Sequence, residues 1–424
     1  MGDVRNLAER LWNQADVFDG DEHPLTLIAG LEQLQDGLAF VSGFANVIAI
    51  DAGPGLVLID TGGAFFAHSV FREIRSWSAR PVHTAVYTHG HVDHAFGLPP
   101  FLDEAREQGA PRPRIVGHRN LVGRFDRYRK TRGYNACINQ RQFSIPRQFE
   151  WPERYEYPDV TYDAEMTLQA GSTRLELRHA RGETDDHTWA WWPEHKVVFT
   201  GDQFVWVSPN AGNPQKAQRY PDEWAASLRE MASLEPEVLV PGHGPPILGA
   251  DRVAQALRET AEWLEHLVSE TLERMNAGAE LDAILHEVRP PAHLAERPYL
   301  QPVYDDPEFV VRNVWRLYGG WYDGTASHLR PAPESDIGRE VARLAGGVDA
   351  LAERARQLGK SGELRLAAHL ADWAVRAEPG NDGAHAVRAE IYEARAARSR
   401  ALMSKGVFNA AARESREKAG GDGA

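Results

Sequence analysis

The chain has 424 residues, of which 42% are hydrophobic and 25% charged, and its net charge is -14. Single cores usually stop growing at about 250 to 300 residues, so we expect two domains. The acidic balance disfavours nucleic acid and acidic lipid as partners and favours a small-molecule substrate. No segment resembles a secretory signal or approaches the ~20 apolar residues of a membrane span, so we expect a cytoplasmic protein.

The first part of the chain alternates predicted strands and helices. Short apolar runs and turns fill residues 24–62, where NVIAIDAGPGLVLIDTGG predicts a β-hairpin. A helical pattern in AFFAHSVFREIRSW, the strand VHTAVY, a helix to about residue 108 and the strand PRIVGH follow. Further strands are predicted in MTLQAGSTRLELRHA and in the run from HTWAWW to KVVFTGD. Strands interleaved with helices up to about residue 250 predict an α/β fold with sheet inside and helices outside.

The remaining sequence is predicted to be helical. We therefore divide the chain into an α/β domain at 1–248 and an all-α domain at 249–424. Ala/Leu-rich helices with short Gly breaks at about 347–415 resemble tetratricopeptide-type hairpins. Only one or two copies of that ~34-residue repeat fit, whereas about three are needed to stand alone. This favours a small packing or dimerisation module, and hence a homodimer, over a peptide receptor.

Three histidines and an aspartate are concentrated in THGHVDH, directly after a predicted strand. His89, His91, Asp93 and His94 are candidate ligands, because imidazole and carboxylate bind zinc and similar divalent ions. A site for two metals needs further ligands from other segments of the chain.

Ligand-type side chains also follow three other predicted strands. RGETDDH offers Glu183, with Asp185 or Asp186 as alternatives, FTGD ends at Asp202, and VPGHG contains His243. Loops that meet at one edge of a layered sheet are the usual location of an α/β active site. Asp60 in LIDTG and His187 are predicted to orient the metal ligands by hydrogen bonding rather than to touch the metal, although His187 is equally consistent with a simple strand start.

Together, LIDTG, THGHVDH, FTGD and VPGHG resemble the metallo-β-lactamase superfamily of hydrolases over about residues 24–248. The resemblance implies a four-layer αββα sandwich with two metal ions, usually zinc, at one edge. It also implies that His89, His91 and the residue at position 183 bind one metal. Asp93, His94 and His243 would bind the other, with Asp202 as the bridge.

The glutamate at position 183 replaces the histidine that most superfamily members have there, and the alkylsulfatase branch shares this feature. Residues 301–331 also resemble a segment of that branch, which a helical dimerisation domain follows. The alkylsulfatase resemblance covers about residues 60–400, and we expect the C-terminal sterol-carrier-like domain of longer members to be absent. A glutamate ligand should favour harder ions, so manganese and iron are alternatives to zinc.

The chain departs from the alkylsulfatase pattern at the residues associated with sulfate binding. NAGNPQK replaces a segment that bears an arginine, and Phe309 stands where the branch has a histidine. We predict that Asn210, Lys216 and Arg219 compensate, and that Tyr134 occupies the position of a substrate-facing tyrosine, although a packing role for it is equally plausible.

The predicted mechanism is hydrolysis of an alkyl sulfate ester by a hydroxide that two metals share, with Asp93 and Asp202 as catalytic ligands. The alternative is a hydrolase of this superfamily that acts on a lactone, a thioester or a carboxylic ester. A partner-binding scaffold with a decayed metal domain is disfavoured, because every ligand position is filled.

Overall fold

A computed structural model describes residues 3–13, 30–145, 148 and 150–420. Its strands form two sheets, and the first contains seven strands in chain order. Strands β1 to β4 are antiparallel, and β4 to β7 are parallel. The seven strands are β1 Gly30–Gln35, β2 Leu38–Ser42, β3 Val47–Asp51, β4 Leu56–Ile59, β5 Val82–Val86, β6 Arg114–His118 and β7 Val160–Tyr162.

The second sheet contains six strands in the order β13-β12-β11-β10-β9-β8. All of its neighbouring pairs are antiparallel except β11 and β12, which are parallel. Because β11 and β12 run in the same direction, their C-terminal residues meet at one edge of the sheet. The six strands are β8 Glu165–Ala170, β9 Thr173–His179, β10 Thr188–Trp192, β11 Val197–Val205, β12 Val238–His243 and β13 Ile247–Leu248.

Sixteen α-helices occur in the described residues. They are α1 Asp3–Asn13, α2 Ala67–Trp77, α3 Val92–Ala95, α4 Pro99–Glu107, α5 Asn120–Lys130, α6 Arg132–Phe143, α7 Pro221–Ser233, α8 Ala250–Asn276, α9 Leu281–Glu287, α10 Pro307–Gly319, α11 Ala326–Leu329, α12 Glu334–Ala345, α13 Val348–Lys360, α14 Leu364–Ala377, α15 Asp382–Arg398 and α16 Leu402–Ala419.

The hydrophobic cores follow the layers of the sandwich. One core lies between the two sheets and includes Phe40 and Phe199. A second packs sheet one against α2, α4 and α5, and a third packs sheet two against α7 and α8. Apolar side chains on both faces of each sheet explain why strands such as β4 and β11 are buried throughout. The four-layer αββα sandwich predicted from the resemblance is therefore confirmed.

Helix α8, which begins two residues after the predicted boundary, shares the outer core of sheet two through side chains such as Leu257 and Leu264. Helix α10 contributes Val310 and Val314 to the same core. The helical region therefore begins as part of the sandwich, and the division of the chain after residue 248 stays a prediction.

Helices α12 to α16 form a separate core of alanine and leucine side chains, for example Ala355 and Ala371. Small side chains allow helices to approach closely, and helices that lie close together can be joined by the short connections found here. The all-helical character predicted for this part of the chain is confirmed. In the described residues, no helix combines the length and the apolar character that a membrane span requires.

Candidate metal centre

The histidine-rich turn begins where β5 ends and leads into the single-turn helix α3. His89 and His94 are fully buried, and Gly90 separates His89 from His91. A Cβ atom on Gly90 would lie 2.8 Å from Cδ of Arg124, so only glycine fits there without a shift of this arginine. The turn is therefore packed tightly against α5.

The first group of candidate ligands contains His89, His91, Glu183 and Asp202. Nε2 of His89 lies 2.8 Å from Nδ1 of His91 and 3.7 Å from Oδ2 of Asp202. Nδ1 of His91 lies 3.9 Å from Oε2 of Glu183. Two imidazole nitrogens and two carboxylates thus converge on one point.

The second group contains Asp93, His94 and His243. Nε2 of His94 lies 3.3 Å from Nε2 of His243 and 3.8 Å from Oδ2 of Asp93. Asp202 faces this group as well, because Oδ1 lies 3.3 Å from Nε2 of His94 and Oδ2 lies 3.4 Å from Nε2 of His243. The seven predicted ligands are therefore brought together from four segments of the chain, with Asp202 between the two groups.

Hydrogen bonds on the far side of three imidazole rings leave the inward nitrogens free. Nδ1 of His94 donates to Asp60 Oδ2 over 2.7 Å, and Nδ1 of His243 donates to the carbonyl of Phe44. The Thr88 hydroxyl donates to Asp60, so it accepts from Nδ1 of His89 at 3.0 Å. Each Nε2 therefore points into the cluster, where its unprotonated form can serve as a metal ligand.

The donor set fits divalent cations. Oδ1 of Asp202 is buried and accepts no hydrogen bond from the described residues, although ligand nitrogens surround it. A buried carboxylate oxygen without a donor is costly unless a cation lies nearby. This fold and this cluster of His, Asp and Glu together indicate a binding site for divalent metal.

Asp60 supports the cluster from behind. Its carboxylate accepts hydrogen bonds from the Thr88 backbone at 2.7 Å, from the Thr88 hydroxyl at 2.8 Å and from His94 at 2.7 Å. The φ angle of Asp60 is 56°, a left-handed conformation that a non-glycine residue rarely adopts. Burial raises the pKa of Asp60 although His94 opposes this shift. Asp60 does not belong to either ligand group, and its orienting role stays a prediction.

Electrostatics differ between the two ligand groups. Burial lowers the pKa of His89 and His91 well below the usual value. The pKa of His94 is instead well above it, because Asp202 and Asp60 outweigh the burial, and Asp202 raises the pKa of His243 in the same way. The two groups therefore differ in the direction in which the pKa of their histidines is shifted.

Glu183 is a buried acid of the cluster with a raised pKa. Burial raises its pKa to about 8, although the cation of Arg219 opposes the shift. Nη2 of Arg219 lies 3.1 Å from Oε1 of Glu183, and Asn210 Nδ2 also donates to this oxygen. Oε2 is left to face His91. The two predicted substrate-binding residues Asn210 and Arg219 therefore hold Glu183.

A buried ion pair joins the histidine turn to the loop that carries Glu183. Nε of Arg124 donates to Oδ1 of Asp186 over 2.6 Å, and Oδ2 of Asp186 accepts from the Gly90 backbone at 2.9 Å. Asp185 also pairs with Arg124 but is 42% exposed. Neither alternative to Glu183 enters a ligand group, because both carboxylates are turned towards Arg124.

His187 lies behind Asp202 and next to His89. Its Nε2 accepts a hydrogen bond of 3.1 Å from the Asp202 backbone, and its ring is stacked on His89 with centroids 5.2 Å apart. Burial lowers the pKa of His187 to about 3, so the ring is neutral. This contact holds the backbone of Asp202, and the orienting role of His187 stays a prediction.

A cavity of about 330 Å³ opens onto both ligand groups. One part of its wall is apolar and is formed by side chains from several separate segments of the chain. These side chains are Phe44, Phe65, Phe66, Val70, Tyr128, Phe143, Ile145, Trp151 and Val205. The part beside the ligands is polar, with Asn139, Gln142, Asn210, Asn213, Lys216, Arg219 and Tyr304. The site can thus hold a molecule with a polar head and an apolar tail.

Lys216 is the predicted substrate-binding residue with the best position for that role. Its side chain lines the cavity, and its ammonium forms no hydrogen bond or ion pair with the described residues. Burial lowers its pKa to about 8, and the nearby Arg219 adds to this shift. The structure does not bring Tyr134 to the cavity, because this side chain is 61% exposed on the outer side of α6.

Sequence reasoning missed most of the cavity wall. Gln142 and Phe143 lie on the same helix as Tyr134 but on the face that it turns inwards, and Tyr304 precedes α10. Helical spacing places Asn139 and Phe143 on the side away from Tyr134, but nothing in the pattern says which face lines a site.

Two family models match the chain. The model of the metallo-beta-lactamase superfamily matches residues 41–243 and so includes all seven candidate ligands. The model of the alkyl sulfatase dimerisation domain matches residues 280–418. The second match begins at α9 and covers α12 to α16.

Curated relatives and solved structures agree with these models. A linear primary-alkylsulfatase from a Pseudomonas strain is 26% identical over 364 residues, which are 81% of this chain and 69% of the relative. An (R)-specific secondary-alkylsulfatase from Pseudomonas is 28% identical over 416 residues, which are 90% of this chain and 61% of the relative. The chain thus spans between three fifths and seven tenths of these relatives.

The solved structure of the stereoselective inverting sec-alkylsulfatase Pisa1 from Pseudomonas has the same fold. The two structures superimpose with a TM-score of 0.82 at 23% sequence identity. The match covers 99% of this chain and 70% of the Pisa1 chain. The two models thus identify residues 41–243 as a metallo-beta-lactamase superfamily region and residues 280–418 as an alkyl sulfatase dimerisation region, and the solved structure shows the same fold.

Proposed function

We propose that this protein hydrolyses alkyl sulfate esters with the help of two divalent cations. The observation that carries the proposal is the combination, in one cavity, of a seven-residue ligand cluster, a free ammonium at Lys216 and an apolar wall. An alkyl sulfate has the matching parts, since its anionic head suits the cation and its hydrocarbon tail suits the apolar wall. The alkylsulfatase relatives support the same substrate class.

In the proposed site, His89, His91 and Glu183 hold one cation, and Asp93, His94 and His243 hold the other. Asp202 faces both groups and is proposed to bridge them. Divalent cations held by these residues would supply the chemistry of an activated water as the nucleophile. Zinc is the proposed metal, with manganese or iron as alternatives because Glu183 adds a hard oxygen ligand.

The residues of the chain would then bind and orient the ester. Lys216 donates to the sulfate oxygens, and the apolar wall that includes Phe44 and Phe143 excludes water from the tail. Asn210 and Arg219 keep Glu183 in place and keep its carboxylate charged once a cation is bound. The products are the alcohol and hydrogen sulfate, formed by addition of one water.

We further propose that the protein is a cytoplasmic homodimer. The dimerisation family model that matches residues 280–418 supports the homodimer, and sedimentation analysis tests it directly. The single cysteine, Cys137, agrees with a reducing compartment.

The deciding experiment measures released sulfate. Protein loaded with zinc, manganese or iron is incubated with dodecyl sulfate, and a lactone, a thioester and a carboxylic ester with similar tails serve as controls. We expect sulfate release that a chelator abolishes and that the metal restores. Sulfate release at background level, together with hydrolysis of one of the control substrates, would overturn the proposal.

A further inference from the structure

The last helix of the described chain packs against the wall of the cavity. Gly406, in the second turn of α16, faces the backbone of α6, and a Cβ atom at this position would lie 1.7 Å from the carbonyl oxygen of Gln142. Real Cβ atoms do not approach so closely, so any larger residue would push the two helices apart. Gly406 is therefore required for the observed distance between α16 and α6.

The first turn of α16 also holds the segment that carries Tyr304. The backbone N–H of Leu402 donates to the carbonyl of Val303 over 2.9 Å, and that of Met403 donates to the carbonyl of Tyr304 over 3.3 Å. These donors are among the N–H groups that a helix leaves without internal partners at its start. Helix α16 thus uses its free donors to fix the backbone at Tyr304.

On the cavity side, the two segments that α16 contacts meet each other. Nε2 of Gln142 donates to the hydroxyl of Tyr304 over 3.3 Å, and Nδ2 of Asn213 lies 3.5 Å from Oε1 of Gln142. Burial raises the pKa of Tyr304 well above its usual value, so its O–H stays protonated and remains available as a donor. All three side chains line the cavity beside Lys216.

We propose that α16 is a structural part of the catalytic cavity and that Gly406 is a positioning residue for its polar end. The residue acts through Gln142 and Tyr304 and touches no reacting atom. This assigns to the C-terminal helices a role within their own chain, in addition to any contact with a second copy. Measurements of kcat and KM as a test of this role rest on the proposed function, whereas the positions of Gln142 and Tyr304 in crystal structures do not.

The test compares Gly406→Ala with two matched glycine-to-alanine controls. Gly133 is the second residue of α6 and has open space where Cβ would lie, and Gly359 in α13 would meet only Cγ1 of Ile391 at 3.5 Å and Cδ2 of Leu364 at 4.0 Å. For Gly406→Ala, we expect kcat/KM with dodecyl sulfate to fall by about tenfold to a hundredfold, mainly through KM, because displacements near 1 Å have effects of this size. Metal content should equal that of the wild type, and both controls should match the wild type.

A second variant addresses the chance that Gly406→Ala fails to fold. Leu402→Pro removes the N–H that donates to Val303 but suits the first position of a helix. It should weaken binding of decyl sulfonate, a non-hydrolysable amphiphile, in calorimetry of the full chain. If no amphiphile binds or reacts even with the wild type, the proposed function fails, and crystal structures of the variants still test the positioning role. Unchanged positions of Gln142 and Tyr304, or unchanged KM and sulfonate affinity, would overturn it.

Discussion

The metal cluster and the cavity wall of this protein are built in different ways. The ligands lie in the turn after β5, within β11, at the end of β12 and in the loop after β9, and their orientation depends on buried hydrogen bonds with neighbours such as Asp60 and His187. The wall is assembled from side chains of α6, of the segment before α10 and of loops that share no motif. The cluster is therefore a local property of strand ends, whereas the wall is a property of tertiary packing, and variants of the two should behave differently.

The largest effect is expected for Asp202→Asn, because Asp202 faces both ligand groups. Loss of its charge should reduce the bound metal and lower kcat with dodecyl sulfate by about a thousandfold, equivalent to several kcal/mol of transition-state stabilisation. Metal analysis and sulfate release measure the two effects. Asp103→Asn, at a carboxylate that is 40% exposed, is the control. Full metal content and full activity in Asp202→Asn would refute its bridging role.

The next largest effect is a loss of stability when the buried ion pair beside the metal cluster is broken. Arg124→Met leaves the fully buried carboxylate of Asp186 without its partner, which should lower the free energy of unfolding by about 3 to 5 kcal/mol in urea titrations. Arg112→Met is the control, since Arg112 is 48% exposed and its partner Asp159 is 41% exposed. Such surface pairs contribute only about 0 to 1 kcal/mol.

The pH dependence of this difference has a defined sign. Arg124 lowers the pKa of Asp186 although burial alone would raise it. The stabilisation is therefore present above the unfolded pKa of about 3.9 and is lost as the pH falls through the lower folded pKa. In Arg124→Met, burial acts on the Asp186 carboxyl without the opposing arginine, so this carboxyl takes up its proton at a higher pH. The stability gap between wild type and variant should thus narrow on acidification, and a constant gap would contradict this account.

The contrast between the metal cluster and the cavity wall also explains which features could be predicted from the sequence. His89, His91, Asp93 and His94 stand in one short turn, and Asp202 and His243 each follow an apolar run, so the pattern of strands predicted that these groups meet. The prediction that the strand ends at Asp202 was wrong, because β11 continues to Val205. The α/β sandwich followed from the same alternation, whereas the packing of α8 against sheet two did not, because a helix pattern does not state its partner. Tyr134 illustrates the same limit for the wall, since its helix lines the cavity with the opposite face.

Lys216 lies where the two regions meet and should show an intermediate effect. Loss of a charge-assisted hydrogen bond to the sulfate in Lys216→Met should raise KM by about tenfold to a hundredfold, while metal content stays the same. The pKa of Lys216 is lowered to about 8 by burial, so its cation is lost as the pH rises through this value. We expect the wild-type KM to increase above that pH and the KM of Lys216→Arg to stay flat. A parallel rise in both proteins would assign the titration to another group.

The smallest effect is expected from the apolar wall. Phe143 lies with its ring 6.5 Å from that of Phe44, so Phe143→Ala removes contact area for a hydrocarbon tail. Each methylene that stays in water costs about 0.8 kcal/mol, so kcat/KM for dodecyl sulfate should fall by about fivefold to tenfold. A short-chain sulfate ester that does not reach this wall serves as the internal control and should react as with the wild type.

The Phe44 ring also lies 5.2 Å from that of His243, and the Phe44 carbonyl accepts a hydrogen bond from the same imidazole. Equal losses for long and short chains would therefore mean that Phe143 acts on the metal cluster through Phe44, and that the wall and the cluster are not independent after all.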